Sequence, residues 1–381
     1  MTAPQMTDLK RQEFAQPTAH FDVLVAGAGP AGCSAAITLA TRYRVALVDR
    51  SDQKTFRIGE SLCPAGRRLL TKMDLWQDFL QQQHQPCYGN RSIWGSDHIQ
   101  ETDFLRDPDG NGWHLDRARF DFWLRDHAIA KGCQLYSPYA VSDVKYQDDV
   151  WHVLLKSADD EITVTAKFLI DAAGRACPIA RKLGAKRTAT DKLVCGYLVG
   201  HEVPQATDAG FSYIEASPEG WWYSAPIPDD RRILAFFTDT GLPATQWALN
   251  PEGLIQHAYK QASLAALLDR CQFQTTEVSG YHAAHTSTLD IKHGEQWLAT
   301  GDAAMSFDPL SSQGIFNSLY TGLYAALNID KWFSGQITDF SDYQQQLDNI
   351  EAAYLRHYSE WYGLQKRWSD QPFWRKRQSK K

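Results

Sequence analysis

Cysteine is scarce and unpaired in this chain: of 381 residues only seven are cysteine, at positions 33, 63, 87, 133, 177, 195 and 271. The number is odd and no Cys-x-x-Cys occurs, which argues against a disulfide framework and a structural zinc site and suits a reducing compartment. Long apolar runs are also missing, so no integral membrane segment is expected. The first twenty residues are polar, carry Pro4 and Pro17 and lack the apolar core of a signal peptide, which makes a flexible N-terminus and a cytoplasmic location the expectation. Basic charge is not in excess: the formal net charge is -6, which speaks against a nucleic-acid partner. Neither Gly-x-Ser-x-Gly nor His-Glu-x-x-His is present, and hydrolase chemistry is set aside. In Tyr281-His-Ala-Ala-His285 two imidazoles stand three apart on an expected strand, facing opposite sides with no third ligand nearby, so no metal site is expected.

What is present is a glycine turn. Val23-Leu-Val-Ala-Gly27-Ala-Gly29-Pro30-Ala31-Gly32 is an apolar strand that breaks into a helix. Gly27 permits the tight turn, Gly29 keeps side chains out of the space of a diphosphate, and Gly32 lets helix and strand lie close. Pro30 and Ala31 open the helix, whose free N–H groups favour an anion. The following strand, Tyr43-Arg-Val-Ala-Leu-Val-Asp49, ends in an acid placed to accept from an adenosine ribose, with Arg50 beside it.

Downstream, Arg57-Ile-Gly-Glu60-Ser61 puts an arginine and a glutamate beside a glycine, where they suit either a cofactor's diphosphate or an ordinary loop salt bridge. Asp116 is the expected N-cap of a helix with an apolar face at Phe120, Trp123 and Leu124, and Arg117 and Arg119 lie in its first turn. Residues 134 to 170 alternate like an antiparallel meander and end in Asp171-Ala-Ala-Gly174, a buried strand closed by acid and glycine. From 185 to 290 the texture changes to aromatic-rich strands with one helical interval near 251 to 268. That region is expected to form a sheet over the cofactor. Within it, Trp221, Trp222 and Tyr223 precede Pro226 and Pro228, either as core or as a wall for an aromatic substrate. The chain then returns with a strand ending Gly301-Asp302, and Asp308-Pro309-Leu-Ser311-Ser312-Gln313-Gly314 opens another helix whose N-terminus suits an anion.

These elements make a mixed α/β chain. The expected divisions are a Rossmann-like nucleotide domain over 21–184 and 291–335, a mostly antiparallel sheet domain over 185–290, and a helical C-terminal segment over 336–381 with a basic tail. In that last segment Tyr354, Tyr358, Trp361, Leu364 and Trp368 recur at spacings of three and four, as a core face or a docking surface, and the tail is expected to be solvated.

The order of these motifs resembles that of FAD-dependent monooxygenases of the aromatic-hydroxylase fold, over nearly the whole chain up to about residue 330. The resemblance implies non-covalent FAD, with Asp49 at the ribose, Arg117 and Asp302 near the diphosphate and ribityl chain, and Pro309 to Gly314 along the isoalloxazine. Gly220-Trp-Trp-Tyr-Ser-Ala-Pro-Ile-Pro228 looks like a variant of an element of the flavin-dependent tryptophan halogenases. Those enzymes also use a lysine and a glutamate. Here no lysine falls between Lys72 and Lys131, and Ser311 stands where the glutamate would be. With Gly59-Glu-Ser-Leu-Cys-Pro64, Tyr88-Gly-Asn-Arg-Ser-Ile-Trp-Gly95 and the Ser-Ser-Gln loop, the chain is more similar to the LodB/GoxB-type flavoproteins. By that resemblance it hydroxylates a tryptophan in a precursor amino-acid oxidase during cysteine tryptophylquinone formation. Only one dinucleotide turn is visible, which implies a separate flavin reductase or a transient NAD(P)H as reductant. A small-molecule aromatic hydroxylase or halogenase-like flavoenzyme, and a non-catalytic FAD-binding chaperone, are the alternatives.

Overall fold

The strand Ala19–Ala26 is buried on both faces, with Val23, Leu24 and Val25 fully enclosed, as a central parallel strand requires. The structure is a computed structural model that describes residues 16–203 and 210–378. Most of the N-terminal stretch expected to be flexible, residues 1–15, and the end of the basic tail, 379–381, lie outside the described residues. Ala19–Ala26 pairs in parallel with Val45–Val48 on one side and Glu161–Asp171 on the other. Gln134–Tyr136 and Trp297–Ala299 extend the two sides, also in parallel. The register aligns Ala26 with Val48 and with Asp171, and Asp171 with Ala299. Four separate turns, at Gly27, Asp49, Ala172 and Thr300, are thereby brought side by side at the carboxyl edge of one sheet, where α/β folds hold their ligands.

The region read as a meander over 134–170 is divided in the structure. Ala140–Gln147, Val150–Lys156 and the first half of Glu161–Asp171 are antiparallel, but Gln134–Tyr136 belongs to the parallel edge beside Val45–Val48. Three residues carry too little pattern to reveal a partner so far away in the chain.

A second sheet has seven strands in the order Gln274–Ala283, Leu193–His201, Arg231–Asp239, Gly220–Ile227, Phe211–Ser217, Gly89–Ile93 and Gln100–Asp103. Its last two strands come from outside 185–290, and Gly89–Ile93 joins through a parallel pairing with Phe211–Ser217. One face is covered by three short helices, Ala244–Ala248, Pro251–Ala258 and Ala262–Arg270, where the sequence suggested one interval. The other face packs Trp94, Trp221, Tyr223 and Phe237 against Tyr362, Phe373 and Trp374 of the C-terminal segment.

The helix Gly314–Phe333 lies on Pro30–Leu39 so closely that a Cβ on Gly322 would run into the Ala31 carbonyl, and Ser34 Oγ donates to Leu319 O at 2.8 Å. Beyond it, Ser341–Leu364 and Pro372–Gln378 fold back over the second sheet. The basic tail, expected in water, is anchored as far as described. Arg377 is 3 % exposed and donates to both carboxylate oxygens of Asp239, at 3.1 and 2.7 Å, with its guanidinium over the Phe373 ring. Trp374 Nε1 donates to Ser217 O at 2.9 Å. The aromatic neighbours, which a charge count passes over, pull the segment in. Arg377→Ala would leave the buried Asp239 carboxylate without its two guanidinium hydrogen bonds, with only the Lys376 ammonium at 3.6 Å as a counter-charge. It is expected to cost about 2–3 kcal/mol in urea unfolding, whereas the exposed Arg375→Ala should stay within about 0.5 kcal/mol.

Candidate active site

At the glycine turn, Gly27 has φ +103° and Gly32 has no room for a side chain, since a Cβ on either would strike backbone, of Ala172 and of Gly27 respectively. Gly29 is different: a Cβ there meets nothing. It caps the helix Pro30–Leu39, which has neither a side-chain cap nor an acid in its first turn, so the positive helix end faces open space. Asp49 accepts from Ala28 N at 2.8 Å and Ser51 N at 2.9 Å, with Arg125 at 3.5 Å. Its carboxylate thus braces the turn where the Val45–Val48 strand ends, and Arg50 points to solvent.

Arg57 pairs with Asp121 at 3.3 Å, while Glu60 is buried, accepts from the neighbouring Gly59 N at 3.1 Å and faces the Tyr223 hydroxyl. The two do not pair with each other. Arg117 grips Asp121 with two hydrogen bonds of 3.0 Å and donates to Gly59 O at 2.8 Å, tying the 57–61 loop to the Arg117–Ala130 helix that Asp116 caps. Ser61 Oγ lies 3.0 Å from Tyr223 Oη, which links the same loop to the second sheet.

Asp171 is fully buried, accepts from Ala173 N and Ala180 N, and is pushed up to about 6 by burial, so it shapes the Ala172–Gly174 turn from behind. Asp302 faces Arg175 at 3.9 Å, and Gly301 has φ +58° with its N–H on Thr321 Oγ1. Arg187 holds the backbone of this turn by donating to Asp302 O at 2.8 Å and Ala303 O at 3.0 Å. Sequence reasoning passed over both arginines, because each acts on a segment more than a hundred positions away.

The loop Asp308–Gly314 continues into a short 3-10 turn, Pro309–Ser311, with Ser312 left-handed at φ +52°, and then into the helix Gly314–Phe333, also without a side-chain cap or an acid in its first turn. Between this loop and the Ser341–Leu364 helix lies a cavity of about 470 Å³, lined by Leu310, Ser311, Gln313, Phe316, Tyr320 and the aromatic face at Tyr354, Tyr358, Trp361 and Tyr362. The C-terminal face is thus partly core and partly cavity wall. Tyr362 is fully buried while Trp361 is 49 % exposed at the mouth. The Tyr354, Tyr358, Tyr362 spacing is the signal in the sequence, and its partner loop is what the sequence leaves out.

The aromatic triplet does not form one wall. Successive residues of Gly220–Ile227 point to opposite faces. Trp222 is fully buried on the helix-covered face beside Phe236 and Trp247, while Trp221 stacks on Phe237 at 3.9 Å and gives its N–H to Tyr362 Oη at 3.1 Å. Tyr223 reaches the candidate site through Ser61 and Trp221 through Tyr362, whereas Trp222 does not.

Open space at Gly29, two uncapped helix ends and the buried Nε of Arg175, which makes no hydrogen bond and has only the Asp302 carboxylate at 3.9 Å, suit a cofactor that carries a diphosphate at one end and an anionic ring at the other. Among the described residues no group of three or more His, Cys, Asp or Glu is arranged to hold a metal, and no helix is long and apolar enough to cross a membrane. All seven cysteines are free.

An α/β architecture of two large sheets and two three-stranded ones, with this carboxyl-edge cradle, fits a flavoprotein oxidoreductase. The chain belongs to the FAD binding domain family, whose model matches residues 20–334. It is 28% identical over 366 residues to the FAD-dependent oxidoreductase LodB of Marinomonas mediterranea, covering 94% of this chain and 96% of that protein. A flavin-dependent halogenase of Armillaria mellea is 25% identical, with 88% of this chain and 70% of that protein covered. Among solved structures, the peptidyl tryptophan dihydroxylase QhpG, essential for tryptophylquinone cofactor biogenesis, superposes with a TM-score of 0.73 at 26% identity, covering 94% of this chain and 79% of that one. The halogenase CmlS has a TM-score of 0.81 at 24% identity, covering 94% and 68%, and shares the fold. The protein is a flavin-dependent oxidoreductase and its cofactor is FAD.

Proposed function

We propose that the protein hydroxylates a tryptophan held within a precursor amino-acid oxidase, a step toward a cysteine tryptophylquinone. The observation that carries this reading is the aromatic cavity beside the Pro309–Gly314 loop, whose mouth is marked by Trp361. Its volume lies in the range of small-molecule sites, and an indole on a peptide enters from the exposed side. The likeness to LodB and to QhpG supports the choice of substrate. Reduced FAD together with dioxygen supplies the oxygen atom. Gly29, Arg117 and Asp302 hold or frame the nucleotide, Asp49 the ribose, and Pro309 to Gly314 the ring. Tyr354, Tyr358 and Tyr362 exclude water and orient the indole. A separate flavin reductase or a transient NAD(P)H brings the electrons, and the free cysteines suit a cytoplasmic step.

Co-expression with an unmodified tryptophylquinone-oxidase precursor tests this by mass spectrometry. One tryptophan should gain oxygen only when this chain is present. Trp361→Ala should lower that modification by about tenfold or more with FAD content unchanged. A wild type that leaves the precursor unmodified, or that turns over free tryptophan as efficiently, refutes the reading. With halide present no halogen should be added, because Ser311 replaces the glutamate and the stretch from Lys72 to Lys131 supplies no lysine.

A further inference from the structure

We infer that Asp308 is the proton acceptor of this cavity, taking the proton that a bound indole releases on hydroxylation, with Tyr362 as the residue that positions its carboxylate. The inference rests on the indole substrate proposed above.

Asp308 is the one carboxylate among the described residues lining the cavity. It is 1 % exposed and clamped on both oxygens: Oδ1 accepts from Leu310 N at 2.9 Å and Oδ2 from Tyr362 Oη at 2.7 Å. Tyr362 Oη in turn accepts from Trp221 Nε1 at 3.1 Å, which leaves its own proton for Asp308. The backbone is fixed as well, since Asp308 N donates to Thr286 Oγ1 at 3.2 Å and Tyr354 Oη at 3.1 Å. An ionised carboxylate has about four acceptor positions. Two are used here, and capacity remains for a substrate proton.

Hydroxylation of a ring C–H creates that proton. The ring gives an electron pair to form the C–O bond; the C–H bond at that carbon then breaks, its pair returns to the ring and its proton passes to Asp308. The oxygen atom comes from dioxygen, reduced FAD gives two electrons, and the second oxygen atom leaves as water.

Burial pushes the Asp308 carboxyl up to about 6, opposed by Arg377 from the last helix and by the Leu310 and Tyr362 hydrogen bonds, and reinforced by Asp191. Tyr354, Tyr358 and Tyr362 face it from the Ser341–Leu364 helix, each pushed upward chiefly by burial and therefore neutral, and His357 lines the cavity from the same helix. The accepting form is thus present above about pH 6 and is lost as pH falls through that value.

The test is single-turnover hydroxylation of the same precursor by reduced holoenzyme across pH 5 to 9. Wild type should show an acid limb near pH 6. Asp308→Asn should slow the step by about 100-fold or more and abolish the limb, with FAD content and precursor binding kept. Tyr362→Phe removes a hydrogen bond to the charged form, so it should move the limb to higher pH. This second variant decides the matter should Asp308→Asn fold poorly. Wild-type rate and limb in Asp308→Asn, an unmoved limb in Tyr362→Phe, or a limb lost in His357→Gln instead would overturn the assignment alone. A wild type that adds no oxygen at any pH overturns the functional reading and this one with it.

Discussion

Gly29→Val is expected to give a folded protein without flavin colour. The apoprotein tolerates the change because a Cβ at this position meets nothing, and its melting temperature should match the wild-type apoprotein's. The valine methyls instead fill the space in front of the Pro30–Leu39 helix, where the proposed FAD diphosphate would meet the free N–H groups. Losing two charge-assisted hydrogen bonds removes roughly 3–6 kcal/mol of binding, about a hundredfold or more in FAD affinity. Gly27→Val and Gly32→Val should fail earlier, in folding, since their Cβ atoms collide with backbone. Titration of the three apoproteins with FAD, read by visible absorbance, separates the two behaviours. Normal flavin content in Gly29→Val would remove the diphosphate from this turn.

Trp222→Ala should lose about 3–5 kcal/mol of stability, the cost of deleting a large buried ring. Trp222 is fully buried between Phe236, at 4.6 Å between ring centres, and Trp247, at 5.8 Å. Against a total of about 5–15 kcal/mol, such a loss should appear in urea unfolding as a much earlier midpoint and in cells as less soluble protein. FAD content would fall with it, by unfolding and not by loss of a contact. Trp222→Phe should cost less, because the indole Nε1 is buried without a partner and its removal relieves a desolvated donor. If Trp222→Ala were as stable as wild type and lost only precursor modification, the wall once expected at this position would be restored.

The Gly27 to Asp49 unit is legible in the sequence because everything it needs lies within one strand, turn, helix and strand. The same holds for Asp116, whose side chain accepts from Arg119 N as the capping pattern requires. What the sequence hides is pairing over distance. Gly89–Ile93 enters the second sheet through Phe211–Ser217, and no local pattern names that partner. Arg187 and Arg175 reach the Gly301–Asp302 turn in the same long-range way. Trp221 and Trp222 are a different case, since strand alternation alone separates adjacent side chains onto opposite faces. The cavity needed two facts together, the aromatic repeat at 354, 358 and 362 and the return of that helix onto the 308–317 segment, and only the first is written in the residues.

The outer wall of the cavity belongs to neither sheet. Ser341–Leu364 and Pro372–Gln378 share no strand ladder with the rest of the chain, and the family model stops at residue 334. The cavity thus has two sides of different origin in the fold, the 308–320 segment within the region the family model matches and the Ser341–Leu364 helix beyond it. Substitution at exposed wall positions such as His357 and Trp361 leaves every ladder hydrogen bond and the Arg377 anchor in place. Selection can therefore rework one side of this cavity by editing the helix while the loop side keeps its place, and related chains with different substrates are expected to diverge more between residues 341 and 364 than between 308 and 320.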